Sequence, residues 1–310
     1  MNHWVDLEHR LWRELNENKI QDKKILVGFS GGVDSMSLLW SLKRVRKHNI
    51  EACFVHHGTG PNKQYRDQAL VFCREFCRHH DILFHERNHE GAELQSEAEL
   101  REFRYHSFAS VQTEAGAEVL AVGHHREDLL ETRLLRLIRG TGPQGLVAMR
   151  IFQAGIFRPF LQVSKADLSS YLEHFKLSEI ADPSNLDLEP FRNWLRKEWL
   201  LALEKRQPGA VNALARSLEI LAEAQSAARD YSEIIDGRSI LRGPFLAESR
   251  AEQKRVLASF LLKNKVKDFS QAQLEEILKR LDNSQKVFTF EVAGLVWEIN
   301  AQQIRVQESV

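Results

Sequence analysis

The stretch ILVGFSGGVDS at residues 25–35 decides the fold of this chain. Its apolar first half predicts a buried strand, and its glycine pair predicts a tight turn. The apolar periodicity of residues 34–47 then predicts a helix that begins at the turn. This order places backbone N–H groups and the positive end of a helix dipole beside any anion that enters the turn. The stretch therefore predicts a phosphate-binding loop.

Each residue type in the loop suits a particular contact with a phosphate. Backbone N–H groups and hydroxyls would come from Ser30, Gly31, Gly32, Val33 and Ser35. Asp34 adds a carboxylate, which can hold a cation that bridges phosphate oxygens. The loop lacks the Gly-Lys-Ser/Thr ending of a Walker loop, so it belongs to another class of phosphate loop. A glycine turn is often only a turn, and further motifs along the chain are needed to favour the phosphate site.

Composition limits the class of protein. The 310 residues carry 43 Lys and Arg against 43 Asp and Glu, so the net charge is zero. Any contact with nucleic acid therefore has to come from local basic patches. The cysteines are Cys53, Cys73 and Cys77, an odd and sparse set that favours a reducing cytoplasm over a disulfide framework. Because no apolar run approaches the ~18 residues of a membrane span, we expect no membrane contact.

Strand-like and helix-like segments alternate over the first part of the chain. Strands are predicted at 25–29, 50–56, 82–85 and 118–123, and helices at 3–18, 34–47, 63–80, 96–114 and 124–139. This alternation predicts an α/β fold with a doubly wound, mostly parallel sheet. In such sheets ligands bind outside the carboxyl ends of the strands, which is where the loop at 30–35 lies.

A domain boundary is predicted near residue 210. Residues 1–210 form the predicted catalytic domain, and residues 211–310 form a mainly helical domain that ends in a small β-meander. The connector GTGPQG at residues 140–145 predicts a loop without an ordered helix, because glycine and proline disfavour helices.

Two carboxylates follow the fourth predicted strand. On the helix predicted for 124–139, His124, Asp128 and Glu131 are spaced i, i+4 and i+7, so they share one face. We expect this face to project away from the core, where the acidic pair can bind Mg²⁺ or a cationic substrate. The alternative is a structural role, since acidic residues in a first helical turn also stabilise the helix dipole.

Basic residues follow the acidic pair along the chain. Arg136 and Arg139 end the same predicted helix, and Arg192 and Arg196 lie one helical turn apart further on. Trp194 lies between the last two arginines, and such a mixture of positive charge and aromatic side chains suits a polyanion. A solvated basic face is the alternative interpretation.

Taken in order, these motifs resemble those of the tRNA(Ile)-lysidine synthetases, in their compact form, within the N-type ATP pyrophosphatase (PP-loop) family. The resemblance runs from about residue 20 to residue 210. The matching segments are SGGVDS at 30–35, HG at 57–58, REFRY at 101–105, HHREDLLET at 124–132, RGTG at 139–142, RPFL at 158–161, DPSN at 182–185 and RNWLR at 192–196. Glu127 stands where the family commonly has an aspartate, and Thr59 and Gly60 replace a Leu-Arg pair.

The resemblance implies an ATP-dependent reaction on the wobble cytidine of a CAU-anticodon tRNA(Ile). The base would be adenylated at its 2-carbonyl oxygen, and the ε-amine of free L-lysine would then replace AMP to give lysidine. ATP and Mg²⁺ are the implied cofactors, with Asp34 and Asp128 as metal ligands and Asp34, Asp128 and Glu131 as the catalytic set. Nucleotide contacts are implied for residues 30–35, His57 and Arg101, and substrate or tRNA contacts for His124, Arg104, Arg136, Arg139, Arg192 and Arg196.

Several choices stay open. Asp128 and Glu131 suit either a metal ion or the lysine amine, and residues 211–310 suit either tRNA positioning or a homodimer contact. The rival functions are a sulfur-transferring tRNA modifier of the same family and a nucleotide-binding module without catalysis. The Cys-x₃-Cys spacing of Cys73 and Cys77 favours buried structural thiols over a sulfur carrier. Three pairs of adjacent histidines occur, at 56–57, 79–80 and 124–125. No cysteine lies at ligand spacing from them, which disfavours a structural zinc site.

Overall fold

A computed structural model describes residues 5–46, 49–60, 62–91, 93–94, 96–180, 191–226, 231–264, 266, 269–282 and 287–308. The chain divides into two compact units. The first comprises Met1–Leu129 and Met149–Lys197, and the second comprises Leu130–Ala148 and Glu198–Val310. This division differs from the predicted boundary at residue 210, because residues 130–148 and 198–209 pack with the C-terminal residues.

The first unit is built on one sheet, which has six strands among the residues described. The strands are β1 (Ile25–Gly28), β2 (Ile50–His56), β3 (Leu83–Asn88), β4 (Val119–Ala121), β5 (Phe152–Gln153) and β6 (Ile156–Phe157). Their order is β3-β2-β1-β4-β6-β5, and neighbouring strands are parallel except for β5 and β6. The predicted α/β class with a mostly parallel sheet is confirmed.

Apolar side chains from both faces of this sheet enter hydrophobic cores. Ile25 and Val27 of β1 pack into one core and Leu26 into another, so this strand is buried on both faces. The helices of this part of the chain are α1 (Asp6–Glu17), α2 (Val33–Val45), α3 (Lys63–His79), α4 (Glu97–Ala115), α5 (Arg126–Ile138) and α6 (Lys165–His174). Across the ranges described, no helix has both the length and the low charge that a bilayer span needs.

The strand order reverses beside β1. The chain passes from β1 to β2 and β3 on one side, and β4 then pairs with the other side of β1. In parallel sheets the usual ligand site is the crevice at such a reversal, outside the carboxyl ends of the two strands. The loop at 29–32 leaves β1 there, and the segment at 122–125 leaves β4 there. The topology thus brings two of the predicted site segments together.

Two local predictions need correction or refinement. The connector forms a 3₁₀ helix over Pro143–Val147, so the expectation of no ordered helix is wrong. Its proline stands in the first turn, where a missing N–H is tolerated. The helix predicted around Arg192 is formed as α7 (Phe191–Trp194), a π-helical segment (Leu195–Trp199) and α8 (Leu200–Arg206). The DPSN motif at 182–185, one of the segments that carry the resemblance, lies outside the described residues.

The second unit has its own helices and its own sheet. The helices that follow α8 are α9 (Ala210–Ser226), α10 (Arg242–Ala247), α11 (Arg250–Lys263) and α12 (Gln271–Leu281). The strands are β7 (Ile235–Asp236), β8 (Ser239–Leu241), β9 (Phe288–Val292), β10 (Leu295–Ile299) and β11 (Gln303–Glu308), in the order β7-β8-β11-β10-β9. The predicted terminal meander is confirmed, and Ala293 and Gly294 have the positive φ angles, 58° and 70°, of a type I′ hairpin turn.

A buried carboxylate ties three helices of the first unit together. Glu8 of α1 is fully buried. The hydroxyl of Tyr171 in α6 donates to Glu8 Oε1 at 2.8 Å, and Nε of Arg44 in α2 donates to the same oxygen. Arg44 also lies over the ring of Phe175, 4.5 Å from its centroid. A buried charge is stable only when paired and hydrogen-bonded, so this cluster fixes how the three helices pack.

We expect Tyr171→Phe to lower the free energy of unfolding by about 2 kcal/mol, because a buried carboxylate loses a hydrogen bond from a neutral donor. Urea unfolding followed by circular dichroism measures the change. The matched control is Ser110→Ala, which removes a hydroxyl that donates to the exposed Glu114. Equal losses in the two variants would contradict the importance of the Glu8 cluster.

Candidate active site

The loop between β1 and α2 is held by its own hydrogen bonds. Gly31 has a φ of +82°, in the left-handed region that favours glycine. The N–H of Ser30 donates to Ser35 Oγ at 3.1 Å, and that hydroxyl donates to the carbonyl of Gly32 at 3.1 Å. The N–H of Ile180 donates to the carbonyl of Gly31 at 3.0 Å. These bonds set the loop against the first turn of α2, whose leading N–H groups have no partner within the helix.

A second glycine lets the segment after β4 approach this loop. A Cβ atom on Gly123 would lie 2.8 Å from the carbonyl carbon and oxygen of Asp34 and 3.1 Å from the nitrogen of Ser35. Real Cβ atoms do not come this close to backbone, so a side chain here would push the start of α2 away. Gly123 therefore sets the distance between the phosphate loop and the residues that follow β4.

His125 lies between the two predicted metal ligands. Its Nε2 is 3.6 Å from Asp34 Oδ1 and 3.4 Å from Asp128 Oδ2. Its Nδ1 is 2.9 Å from Glu127 Oε2, and the N–H of Lys165 donates to the same oxygen at 3.1 Å. The His125 side chain is 2% exposed. The fold thus brings Asp34 and Asp128 to one buried imidazole.

The charges of this cluster shift the pKa values of its members. Burial opposes protonation of His125, but the hydrogen bond to Glu127 and the charges of Asp128 and Asp34 outweigh it, so its pKa is raised. Burial opposes ionisation of Glu127, yet the hydrogen bonds from His125 and backbone amides lower its pKa to about 2. Burial also opposes ionisation of Asp128, but the charges of His125 and Arg192 outweigh burial, so the pKa of Asp128 is lowered. The cluster therefore favours an imidazolium between ionised Glu127 and Asp128.

Asp34 behaves differently from the other acids. Burial raises its pKa, and the charges of His125 and Lys165 offset that rise only in part. Its Oδ1 is buried and accepts no hydrogen bond from any residue that the structure describes. An underbonded carboxylate oxygen beside a phosphate loop fits a divalent cation.

The donor set around Asp34 suits Mg²⁺ better than a transition metal. Within the described ranges, no three His, Cys, Asp or Glu side chains are arranged to hold a metal ion. Mg²⁺ needs no such cage, because it is usually bound by one or two carboxylates together with substrate phosphates and water. Asp34 fits that role, with Asp128 as the second predicted carboxylate.

Asp128 also receives two arginines from the segment at 191–196. Arg196 Nη2 donates to Asp128 Oδ1 at 3.2 Å, and Arg192 Nη2 donates to the Asp128 carbonyl at 3.3 Å. Asp128 Oδ2 in turn accepts from the N–H of His125 at 3.1 Å, a contact that caps the start of α5. Asp128 therefore has a structural role, and its role as a ligand for a metal ion or for the lysine amine stays a prediction.

Glu131 departs from the expectation. It lies one turn after Asp128 on α5, but it is fully buried. The prediction that the acidic pair projects away from the core is therefore wrong for Glu131, because helical spacing defines a face without showing what covers it. Its catalytic role stays a prediction.

The predicted nucleotide and substrate contacts His57 and His124 share one property. Burial lowers the pKa of each to about 4, and Arg104 near His57 and Arg158 near His124 act in the same direction. In both rings Nδ1 is buried and, within the described part of the chain, has no hydrogen-bond partner. A neutral imidazole with an unused nitrogen is ready to bond a ligand. Arg101 and Arg104 are exposed on α4.

Two of the predicted tRNA contacts belong to the second unit. Arg136 Nη1 donates to the carbonyl of Gly145 at 2.8 Å, and Arg133 Nε donates to the carbonyl of Leu146 at 3.0 Å. Arg139 is exposed. Part of the predicted basic group therefore holds the glycine-rich connector in place, and contact with a polyanion stays a prediction for Arg136 and Arg139.

Helical spacing alone missed His125 and Glu127. It groups His124 with Asp128 and Glu131, whereas α5 begins at Arg126, so both histidines precede the helix. Both residues lie in the motif at 124–132. Glu127 follows His125 by two positions, and this spacing of a carboxylate and an imidazole could have indicated that they interact.

Comparison with known proteins decides the family. The family model described as the PP-loop domain matches residues 6–203. The tRNA(Ile)-lysidine synthase of Bdellovibrio bacteriovorus is 48% identical over 310 residues, 97% of this chain and 97% of that protein. The chain belongs to the tRNA(Ile)-lysidine synthase family. The synthase of Histophilus somni strain 2336 is 34% identical over 298 residues, which are 91% of this chain and 68% of that longer protein.

Family membership confirms the resemblance read from the motifs, including the prediction that this chain is an enzyme with an ATP-binding PP-loop domain. Among solved structures, the U34-tRNA thiolase NcsA from Methanococcus maripaludis is similar, with a TM-score of 0.58 and 18% identity over 74% of this chain and 84% of that one. At this identity the likeness supports the fold alone.

We expect Gly123→Ala to weaken ATP binding about tenfold or more, because the new methyl group displaces the start of α2. Isothermal titration calorimetry on the full chain measures the affinity, and circular dichroism checks the fold. The matched control is Gly243→Ala, since a Cβ atom there meets nothing within 4 Å. Unchanged ATP affinity in Gly123→Ala would show that the close approach does not matter for binding.

Proposed function

We propose that this chain converts the wobble cytidine of a CAU-anticodon tRNA(Ile) to lysidine, with ATP and free L-lysine as co-substrates. The names of its relatives point to this reaction, and the first of them matches nearly the whole chain. The observation that carries the proposal is the meeting of the phosphate loop with Asp34, His125 and Asp128 at the β1/β4 reversal. The proposed reaction needs a phosphate-binding loop and carboxylate side chains at the same place.

The first step is adenylation of the base. The 2-carbonyl oxygen of cytidine attacks the α-phosphorus of ATP, the bond to the β-phosphate breaks, and pyrophosphate leaves. The leaving group gains negative charge, which the N–H groups at the start of α2 and the hydroxyl of Ser30 are placed to stabilise without rearrangement. Mg²⁺ held by Asp34 and Asp128 would neutralise further phosphate charge.

The second step is attack by lysine. The ε-amine attacks carbon 2 of the activated base, AMP leaves, and the amine loses a proton. Asp128 has a lowered pKa, so it suits ion pairing better than proton removal. Glu131 follows it by one helical turn and completes the predicted pair for the amine.

Exposed aromatic side chains beside the arginines support a nucleic-acid substrate. Phe191 and Trp194 are 48% and 39% exposed, and their rings stack at 5.4 Å with an angle of 20° between planes. Arg192 and Arg196 of the same segment contact Asp128. Bases of an unpaired anticodon loop stack on such rings, so Trp194 would support a nucleotide next to the target.

The cysteines argue against sulfur transfer. Cys53, Cys73 and Cys77 are all buried. Burial raises the pKa of Cys53 and Cys77 to about 12, and that of Cys73 also rises. A sulfur carrier needs an accessible thiolate, which these surroundings disfavour.

The deciding experiment is incubation of the chain with ATP, labelled lysine and a CAU-anticodon tRNA. We expect label in the tRNA and equal release of AMP and pyrophosphate. Asp34→Asn should reduce the rate about 100-fold or more, because cation binding at the phosphates is lost. Asp6→Asn, an exposed acid on α1, is the control and should match the wild type. ATP turnover without label in the tRNA would refute the proposed reaction.

We expect Trp194→Ala to raise the KM for tRNA about tenfold while leaving the KM for ATP unchanged, because one stacked base loses its platform. Steady-state kinetics with varied tRNA and varied ATP separate the two effects. Trp12→Ala removes a similarly exposed tryptophan from α1 and serves as the control. A loss shared by both variants, or a change in the KM for ATP, would contradict the stacking role.

A further inference from the structure

A buried arginine at the same edge of the sheet is not used by the steps above. Arg158 directly follows β6, which is parallel to β4, so it lies at the carboxyl edge where the site is. It is 7% exposed. Arginine is almost never this buried unless it is paired.

The guanidinium of Arg158 has few partners. Its Nη1 donates to the carbonyl of Arg150 at a long 3.4 Å, and Tyr105 is its nearest polar neighbour in electrostatic terms. Its Nε is buried and has no hydrogen-bond partner in the described ranges. Its charged neighbour is another cation, Arg101, and no described carboxylate forms an ion pair with it. Within the described part of the chain, the positive charge is therefore left without a counter-ion.

Tyr105 joins the two arginines into one group. Arg101 lies over its ring, 4.7 Å from the centroid, with Nη2 3.5 Å from its hydroxyl. Both arginines also act on His124, whose Nδ1 is unbonded and buried and which lies within the influence of Asp128. The cluster of Arg101, Tyr105, His124 and Arg158 thus lies within electrostatic range of Asp128, the predicted catalytic carboxylate.

The positive charge of Arg101 lies near the buried guanidinium of Arg158 and destabilises it, and the unsatisfied buried Nε adds a further cost. A bound anion would stabilise such an arrangement, because it would neutralise the charge and accept the missing hydrogen bond. The reactants of the proposed reaction carry two suitable oxyanions, the α-carboxylate of lysine and the α-phosphate of the nucleotide. Both are recognised by a guanidinium in the same way.

We propose that Arg158, with Arg101 beside it, binds an oxyanion of a reactant, either the lysine carboxylate or the nucleotide α-phosphate. This assignment rests on the proposed function, since that supplies the two anions. Arg158 is therefore a substrate-binding residue at the β6 end of the site.

The test is equilibrium binding to the full chain, by calorimetry, for wild type, Arg158→Gln and Arg158→Lys. The ligands form matched pairs that differ in the anion: AMP against adenosine, and L-lysine against L-lysinamide. We expect Arg158→Gln to weaken binding of one anionic ligand about tenfold or more, with its uncharged partner unaffected. Arg158→Lys keeps the charge and should recover part of the loss.

The control variant is Arg46→Gln. Arg46 follows α2, its Nη2 donates to the carbonyl of Lys23 at 2.8 Å, and its buried Nη1 also has no hydrogen-bond partner among the residues that the structure describes. It lies beside the residues that precede β1, at the opposite edge of the sheet. We expect Arg46→Gln to lower stability without changing any of the four affinities.

Each result has one meaning. A loss confined to AMP assigns the phosphate, and a loss confined to lysine assigns the carboxylate. Losses that include adenosine or lysinamide, or that Arg46→Gln reproduces, would overturn the proposal in favour of a structural arginine. So would unchanged affinities, which would leave a buried water as the partner of Nε. A wild-type chain that bound neither AMP nor lysine would instead refute the proposed function, and this assignment with it.

Discussion

The active site depends on the ion pairs of His125. Asp34 belongs to α2 and Asp128 to α5, and two carboxylates from different elements repel one another when they share a buried site. His125 lies within 4 Å of both, and its raised pKa favours a positive charge that would offset that repulsion. Glu127 forms a hydrogen bond with Nδ1, the other ring nitrogen of His125, and it accepts a hydrogen bond from the N–H of Lys165. These two contacts fix the orientation of the ring. This arrangement requires the end of β4 to lie against the start of α2, which the missing side chain of Gly123 allows.

The first unit separates two kinds of chemistry along one sheet edge. On the β1 side, the N–H groups at the start of α2 and the underbonded oxygen of Asp34 suit phosphates and a cation. On the β6 side, Arg158 lies beside Arg101, and no carboxylate among the described residues forms an ion pair with it. His125 and Asp128 lie at the end of β4, between these two strands in the sheet. An ATP-dependent transfer to a nucleic-acid base needs both kinds of contact, one for the leaving group and one for the reacting molecules.

Much of the fold and part of the candidate site could be predicted from the sequence, and the wrong predictions have physical reasons. The alternation of strands and helices and the glycine loop are local patterns, so they predicted the α/β fold and the strand, loop and helix around residue 30. The pairing of β1 with β4 is non-local, and only the topology brought Asp34 to His125. The two-residue strand β7 and the three-residue strand β8 are too short to show a period of two. The burial of Glu131 depends on what packs over α5, which spacing along one helix does not contain.

The segment at 191–199 joins the side chains proposed to contact RNA to the predicted catalytic carboxylate. Arg192 and Arg196 were expected to contact tRNA, but their guanidiniums reach the backbone and side chain of Asp128. The helix changes to π-helical geometry at Leu195, and such local widening re-aims side chains and is common at functional sites. Phe191 and Trp194 stay exposed on the same segment. A nucleotide stacked on those rings would lie on the segment whose arginines contact Asp128, so the proposed RNA contact and the predicted catalytic carboxylate share one element.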